Sequence, residues 1–92
     1  DVALENRNER ELAVQLCRFE ETLELVARDA MPHHLCAYLY ELTSRFMRFY
    51  ETCPVLDAPE KDRESRLALC VHTAKTLETG LDCLGIATLT RM

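Results

Sequence analysis

The residues of this chain best suited to chemistry are arginines beside a tyrosine. Arg45 and Arg48 stand three apart, on one expected helix face, near Tyr50. A guanidinium beside an exposed aromatic ring is a platform for an unpaired base and its phosphate. The plain alternative is that both arginines are solvated and Tyr50 is half-buried. Arg18, Arg28, Lys75 and Arg91 add scattered positive charge. The last residue is a second candidate. The carboxylate of Met92 can only accept hydrogen bonds, so it could read donors on a base edge, and the thioether adds polarizable packing.

The other reactive residues form no expected catalytic or metal arrangement. His33 and His34 point in different directions in a first helical turn, with no Cys or carboxylate at metal-site spacing, and a zinc site needs three or four converging ligands. Cys70 and His72 are two apart on an expected helix and cannot face each other. The only serines, Ser44 and Ser65, lie in no strand–turn–helix elbow. The carboxylates are scattered along solvated faces, and no glycine-rich phosphate loop is present. Cys17, Cys36, Cys53, Cys70 and Cys83 include no CxxC pair and read as buried free thiols in a reducing compartment.

The elements that must position these residues are helices. Leu, Ala, Glu and Arg dominate, with two Gly and three Pro, which argues against a turn-rich β fold. The spacing predicts helices over about 8–17, 20–30, 32–52 and 63–84, a loop over 54–62 and a short extended tail over 86–92. Residues 1–6 read as a frayed lead-in, with Asn6 or Asn8 as the first cap. The segment around Phe19 is either a break or a kink. Pro32 closes one helix and opens the next. Leu35, Leu39, Leu42, Phe46 and Phe49 form one apolar stripe, and Tyr40, Met47 and Tyr50 are expected to widen it. The fourth helix presents Leu67, Cys70, Val71, Ala74, Leu77, Leu81 and Leu84, with Gly85 as a left-handed terminator. Gly80, inside that pattern, is expected to mark a close helix–helix approach. The fold class is therefore all-α, a small bundle of about four helices.

Ninety-two residues suffice for one small domain. A net charge of −5 has the wrong sign for an autonomous non-specific nucleic-acid binder but leaves room for a local basic patch. No apolar run approaches a membrane span, and no signal peptide is recognisable. Starting at Asp1, the chain reads as a binding module cut from something larger.

Several ordered blocks carry a family resemblance. They are Pro32-His33, Leu39-Tyr40-Glu41-Leu42, Phe49-Tyr50 with Cys53-Pro54-Val55-Leu56, Arg66-Leu67-Ala68-Leu69, Gly80-Leu81-Asp82-Cys83-Leu84-Gly85-Ile86, and the closing Arg91-Met92. From about Glu9 to Met92 the chain resembles the helical DALR anticodon-binding domain of arginyl-tRNA synthetases. The resemblance implies a class I synthetase anticodon-binding bundle that receives the anticodon loop of arginine tRNA. It implies a cytoplasmic, monomeric parent that joins arginine to tRNA with ATP, neither small substrate being bound by this piece. The piece itself would be non-catalytic, and its other partner would be the catalytic domain of the same chain. The implied tRNA-binding residues are Tyr50, Pro54 and Met92, with the Val55–Asp62 loop near the same surface; Arg45, Arg48 and Arg91 are added on physical grounds for phosphate. Family members usually carry a further helix before Glu9, so part of the Leu39–Phe49 face is expected to be open. The alternatives are a related class I synthetase, such as the cysteine or glycine enzyme, and a helical protein-interaction domain.

Overall fold

The computed structural model describes residues 2–29 and 32–91, and among them there are helices and no strands. The order is α1 (Val2–Cys17), α2 (Phe19–Asp29), α3 (His33–Thr52) and α4 (Glu60–Arg91). The central helix is α3, which packs against each of the other three. Leu12 and Leu16 of α1 meet Leu35, Tyr38, Leu39, Leu42 and Phe49 of α3 in the core, with Cys53 just beyond. Each such apolar side chain stabilises the bundle by about 2 kcal/mol relative to exposure.

Helix α1 starts at Val2, so the expected lead-in over 1–6 is helical from its second residue. Asn8 is not a cap. It is buried, and its Nδ2 donates to Thr52 Oγ1 at 2.8 Å, which ties α1 to the end of α3. Residues before Glu9 therefore belong to the packed structure. The Leu39–Phe49 face is correspondingly closed: Leu39, Leu42 and Phe49 are buried, contrary to the expected opening.

The junction between α1 and α2 is a single residue, Arg18. Its cause is a side chain inserted into the backbone ladder. The Tyr38 hydroxyl donates to the Gln15 carbonyl, and Gln15 Nε2 returns a hydrogen bond to the Tyr38 carbonyl at 3.4 Å. The same Gln15 carbonyl takes the Arg18 N–H in a tighter i→i+3 contact at 3.1 Å, and the helix resumes one residue later. Burial pushes the Tyr38 hydroxyl up to about 12, with the neighbouring Cys17 adding to the rise and Arg18 opposing it.

Helix α4 departs most from expectation. It begins at Glu60, three residues early, because the Pro59 carbonyl already accepts from the Arg63 N–H at 2.8 Å. Glu60 and Asp62 then lie in the first turn, where the helix dipole favours acids. At the other end, α4 runs through Gly85 to Arg91, so the extended tail over 86–91 is not seen, and Met92 lies outside the described residues. Gly85 keeps a negative φ, and no proline follows it to stop the helix. An interior glycine costs only about 1 kcal/mol. The buried face of α4 also differs. Arg66, Thr73, Thr76 and Gly80 are buried, whereas Leu67, Val71, Ala74 and Leu81 are exposed. Small groups let the helices approach closely. A Cβ on Gly80 would lie 2.6 Å from Leu39 Cδ2, so this glycine does mark a helix contact.

The second expected stripe of α3 is not core either. Tyr40 is 76% exposed and Tyr50 62%, with Met47 half open between them. Of the cysteines, Cys53 is buried, but Cys17 and Cys36 are exposed, so the expectation of uniformly buried thiols fails; all five are unbridged.

Candidate nucleic-acid interface

Pro54 ends the path of α3 and creates the site. Cys53 adopts extended backbone, with its N–H donated to the Phe49 carbonyl at 2.8 Å. The chain then turns through Val55 and Leu56 to Ala58, which is buried and pins the loop. Because the loop is short, α4 returns antiparallel beside α3. Between them lies an open groove of about 460 Å³, walled by Tyr50, Pro54, Val55 and Leu56 on one side and Leu67 and Cys70 on the other, with Cys53 at its base.

Tyr50 stands at the edge of this groove. Its ring lies 6.0 Å from that of Phe46 at 27°, near parallel, while most of its surface stays open. Its hydroxyl has no protein hydrogen-bond partner among the described residues. The groove can therefore offer a flat ring, a free phenolic donor and apolar walls, which suits a planar heterocycle. It does not offer a nucleophile. Burial pushes both the Cys53 and Cys70 thiols up, so they stay protonated at neutral pH. Among the described residues no group of His, Cys, Asp and Glu could hold a metal ion. Both glycines are helical in α4 and build no phosphate-cradling loop.

The structure brings Tyr50 and Pro54 together and leaves the arginines elsewhere. Tyr50 follows Arg48 by two helical positions, about 200° round α3. Arg45 Nε donates to Glu41 Oε2 at 2.9 Å and its Nη1 to the Glu11 carbonyl at 3.1 Å, fastening α3 to α1. Arg48 is more open and reaches Glu11 at 3.8 Å and Glu41 at 3.9 Å. Arg91 closes α4, about 36 Å farther along the helix than Leu67. Met92 lies outside the described residues.

Two features escaped the sequence reading. One is the α4 wall of the groove, visible only once the helices are paired. The other is Arg66, which is 5% exposed. Its Nε lies 2.5 Å from Glu9 Oε1, and its Nη1 lies 3.3 Å from Glu5 Oε1 and donates to the Pro54 carbonyl at 2.7 Å. Burial alone would lower the pKa of this guanidinium, but the hydrogen bond and charge of Glu9, with Glu5 helping, raise it instead. The expected apolar face of this helix runs through Leu67 and not Arg66, so nothing in the sequence pattern marks a buried arginine, which needs charged partners.

The family model described as the DALR anticodon binding domain matches residues 1–92. This chain belongs to the DALR anticodon-binding family. An arginine–tRNA ligase of Marinomonas sp. (strain MWYL1) is 53% identical over 92 residues, and one of Haemophilus ducreyi is 52% identical over 92. One of Erwinia tasmaniensis is 58% identical over 85 residues, covering 91% of this chain. The first two cover the whole chain, which spans only 16% of either relative, and 15% of the third. Among the described residues of this DALR domain, no helix is long and apolar enough to cross a membrane.

Proposed function

We infer that this DALR domain reads the anticodon loop of an arginine tRNA on behalf of a larger class I arginine–tRNA ligase. The observation that carries the reading is Tyr50, an open aromatic ring at the edge of an apolar groove, in a chain whose whole length matches an anticodon-binding family. One splayed base stacks on Tyr50 and is backed by Pro54 and the Val55–Leu56 wall. Arg48, about 200° round α3 from Tyr50, adds only long-range attraction for phosphate, while Arg45 is retained by α1. Arg91, at the far end of α4, is assigned to phosphate on physical grounds alone, and Met92 is assigned to the anticodon loop on the family resemblance.

The domain transfers no group itself. Its binding energy orients the acceptor end of the tRNA in the catalytic domain of the parent, a monomeric cytoplasmic enzyme in which ATP and arginine bind. A wrong anticodon base weakens productive placement and so slows charging. The test is titration of an arginine-tRNA anticodon stem-loop RNA into the domain, beside a loop with an altered central anticodon base, at low and moderate salt. Selective binding is expected; equal affinity for both loops in a folded sample would contradict base recognition within these residues. Removal of Met92 is expected to lower affinity without unfolding the bundle, and unchanged affinity would remove that residue from the interface.

A second reading has its own observation. Tyr40 and Met47 of α3 and Val71 and Leu81 of α4 are large apolar side chains left exposed. Apolar surface of this kind suits protein contact, here with the remainder of a longer chain. Charge introduced as Val71→Glu is expected to leave stem-loop affinity unchanged if that face meets protein; a loss of affinity would assign it to RNA.

A further inference from the structure

Arg66 is the point where three segments meet. Helix α4 supplies the guanidinium, α1 supplies Glu5 and Glu9, and the loop after α3 supplies the Pro54 carbonyl. Two further contacts moor the same corner. The Cys53 thiol donates to the Glu5 carbonyl at 3.4 Å, and Asn8 holds Thr52 at 2.8 Å. Three of these contacts, on the Pro54 carbonyl, the Cys53 thiol and the Thr52 hydroxyl, fall on residues 52–54, the segment from which the groove wall Val55–Leu56 departs. The wall is otherwise held by packing alone: Val55 lies partly buried against the core and Ala58 is buried, while Leu56 is 74% exposed and the Ala58 N–H reaches the Val55 carbonyl at a long 3.4 Å.

We propose that Arg66 is a positioning residue for the groove, a latch through which the Glu5–Glu9 pair of α1 holds the Pro54–Leu56 wall at the correct distance from Tyr50. This rests on the anticodon reading given above. The planar fork of arginine is essential. It presents several N–H groups in fixed directions, so one side chain can satisfy Glu9 through Nε while Nη1 reaches both Glu5 and the Pro54 carbonyl. A lysine keeps the charge and can remain paired with the acids, but its ammonium has no such fork. Arg66→Lys therefore separates fastening of the loop from neutralisation of the half-buried acids. The latch also gives α1 a role at a site it does not line.

The test uses two readouts on Arg66→Lys and wild type, each confirmed folded by circular dichroism and urea unfolding. The first is amide hydrogen exchange at Ala58, whose N–H is hydrogen-bonded to the Val55 carbonyl, and it needs no RNA. The second is stem-loop affinity, measured also in Tyr50→Ala and in the double variant. The latch predicts faster exchange confined to the 54–58 segment. It also predicts affinity weakened about tenfold, the scale of one charge-assisted hydrogen bond. That loss must shrink in the Tyr50→Ala background, because both changes act on one groove. A general loss of packing would instead raise exchange throughout α1 and α4 and add to the Tyr50 effect, which would overturn the proposal. Unchanged exchange at Ala58 would overturn it as well. If wild type does not bind the stem-loop, the anticodon reading fails, while exchange alone still decides whether Arg66 holds the wall.

Discussion

The two long sides of α3 use the same kinds of residue in opposite ways. Toward α1, polar groups are consumed internally: Arg45 on the Glu11 carbonyl, Tyr38 and Gln15 on each other's carbonyls, and Asn8 on Thr52. Toward α4, apolar groups are left in the open: Tyr50, Met47, Leu67 and Val71. The first side is closed and holds the bundle together. The second is a surface awaiting a partner. An arginine or an aromatic ring in the sequence therefore says little about binding until it is known which side of the helix has already used it.

The largest effect should come from adjacent residues on the two sides. Phe49 is fully buried and Tyr50 is open. Phe49→Ala is expected to cost about 3–5 kcal/mol in urea unfolding, whereas Tyr50→Ala should stay within about 0.5 kcal/mol. Comparable losses would erase the distinction.

Alkaline titration sharpens it next. Folded Tyr38 keeps its proton until about 12, while an unfolded tyrosine releases it near 10. Between those values the unfolded state binds fewer protons, so stability is full below about pH 10 and declines as pH rises toward 12, by up to about 2 kcal/mol. Tyr38→Phe should cost about 1 kcal/mol at neutral pH and remove Tyr38's share of that alkaline decline. An unchanged slope in the variant would place the titration elsewhere.

The smallest effects compare the two glycines of α4. Gly80→Ala gains helix propensity but drives a methyl to 2.6 Å from Leu39 Cδ2, with Cδ1 and Cγ of that side chain also close, so a net loss of about 1 kcal/mol is expected. Gly85 faces open space, and Gly85→Ala should stabilise by about 0.5–1 kcal/mol. A thermal melt of each variant decides both signs.

Much of the fold was legible because it depends on local signals. Pro32 and Pro54 punctuate α3, and Leu35, Leu39, Leu42 and Phe49 occur at the helical period and are buried. What failed depends on contacts that a period cannot reveal. Leu67, Val71 and Leu81 make a sound apolar stripe, but α4 turns Arg66, Thr73, Thr76 and Gly80 inward, because small groups permit the close approach to Leu39. Gly85 resembles a terminator but stays helical, since nothing after it stops the helix. At the site, Tyr50 and Pro54 come together because they are neighbours across a helix end. Arg45 and Arg48 seemed to belong with them by proximity in sequence, but a helix carries them round to α1 within a few residues.

The most direct test of the contrast is stem-loop RNA affinity of Tyr50→Ala beside Arg45→Ala, each compared with the wild-type domain at one salt concentration and confirmed folded. Loss of one stacked base predicts a decrease of about tenfold or more for Tyr50→Ala and less than about twofold for Arg45→Ala. The opposite ranking, with Arg45 decisive and Tyr50 silent, would contradict the account by moving the RNA to the side of α3 that α1 already covers.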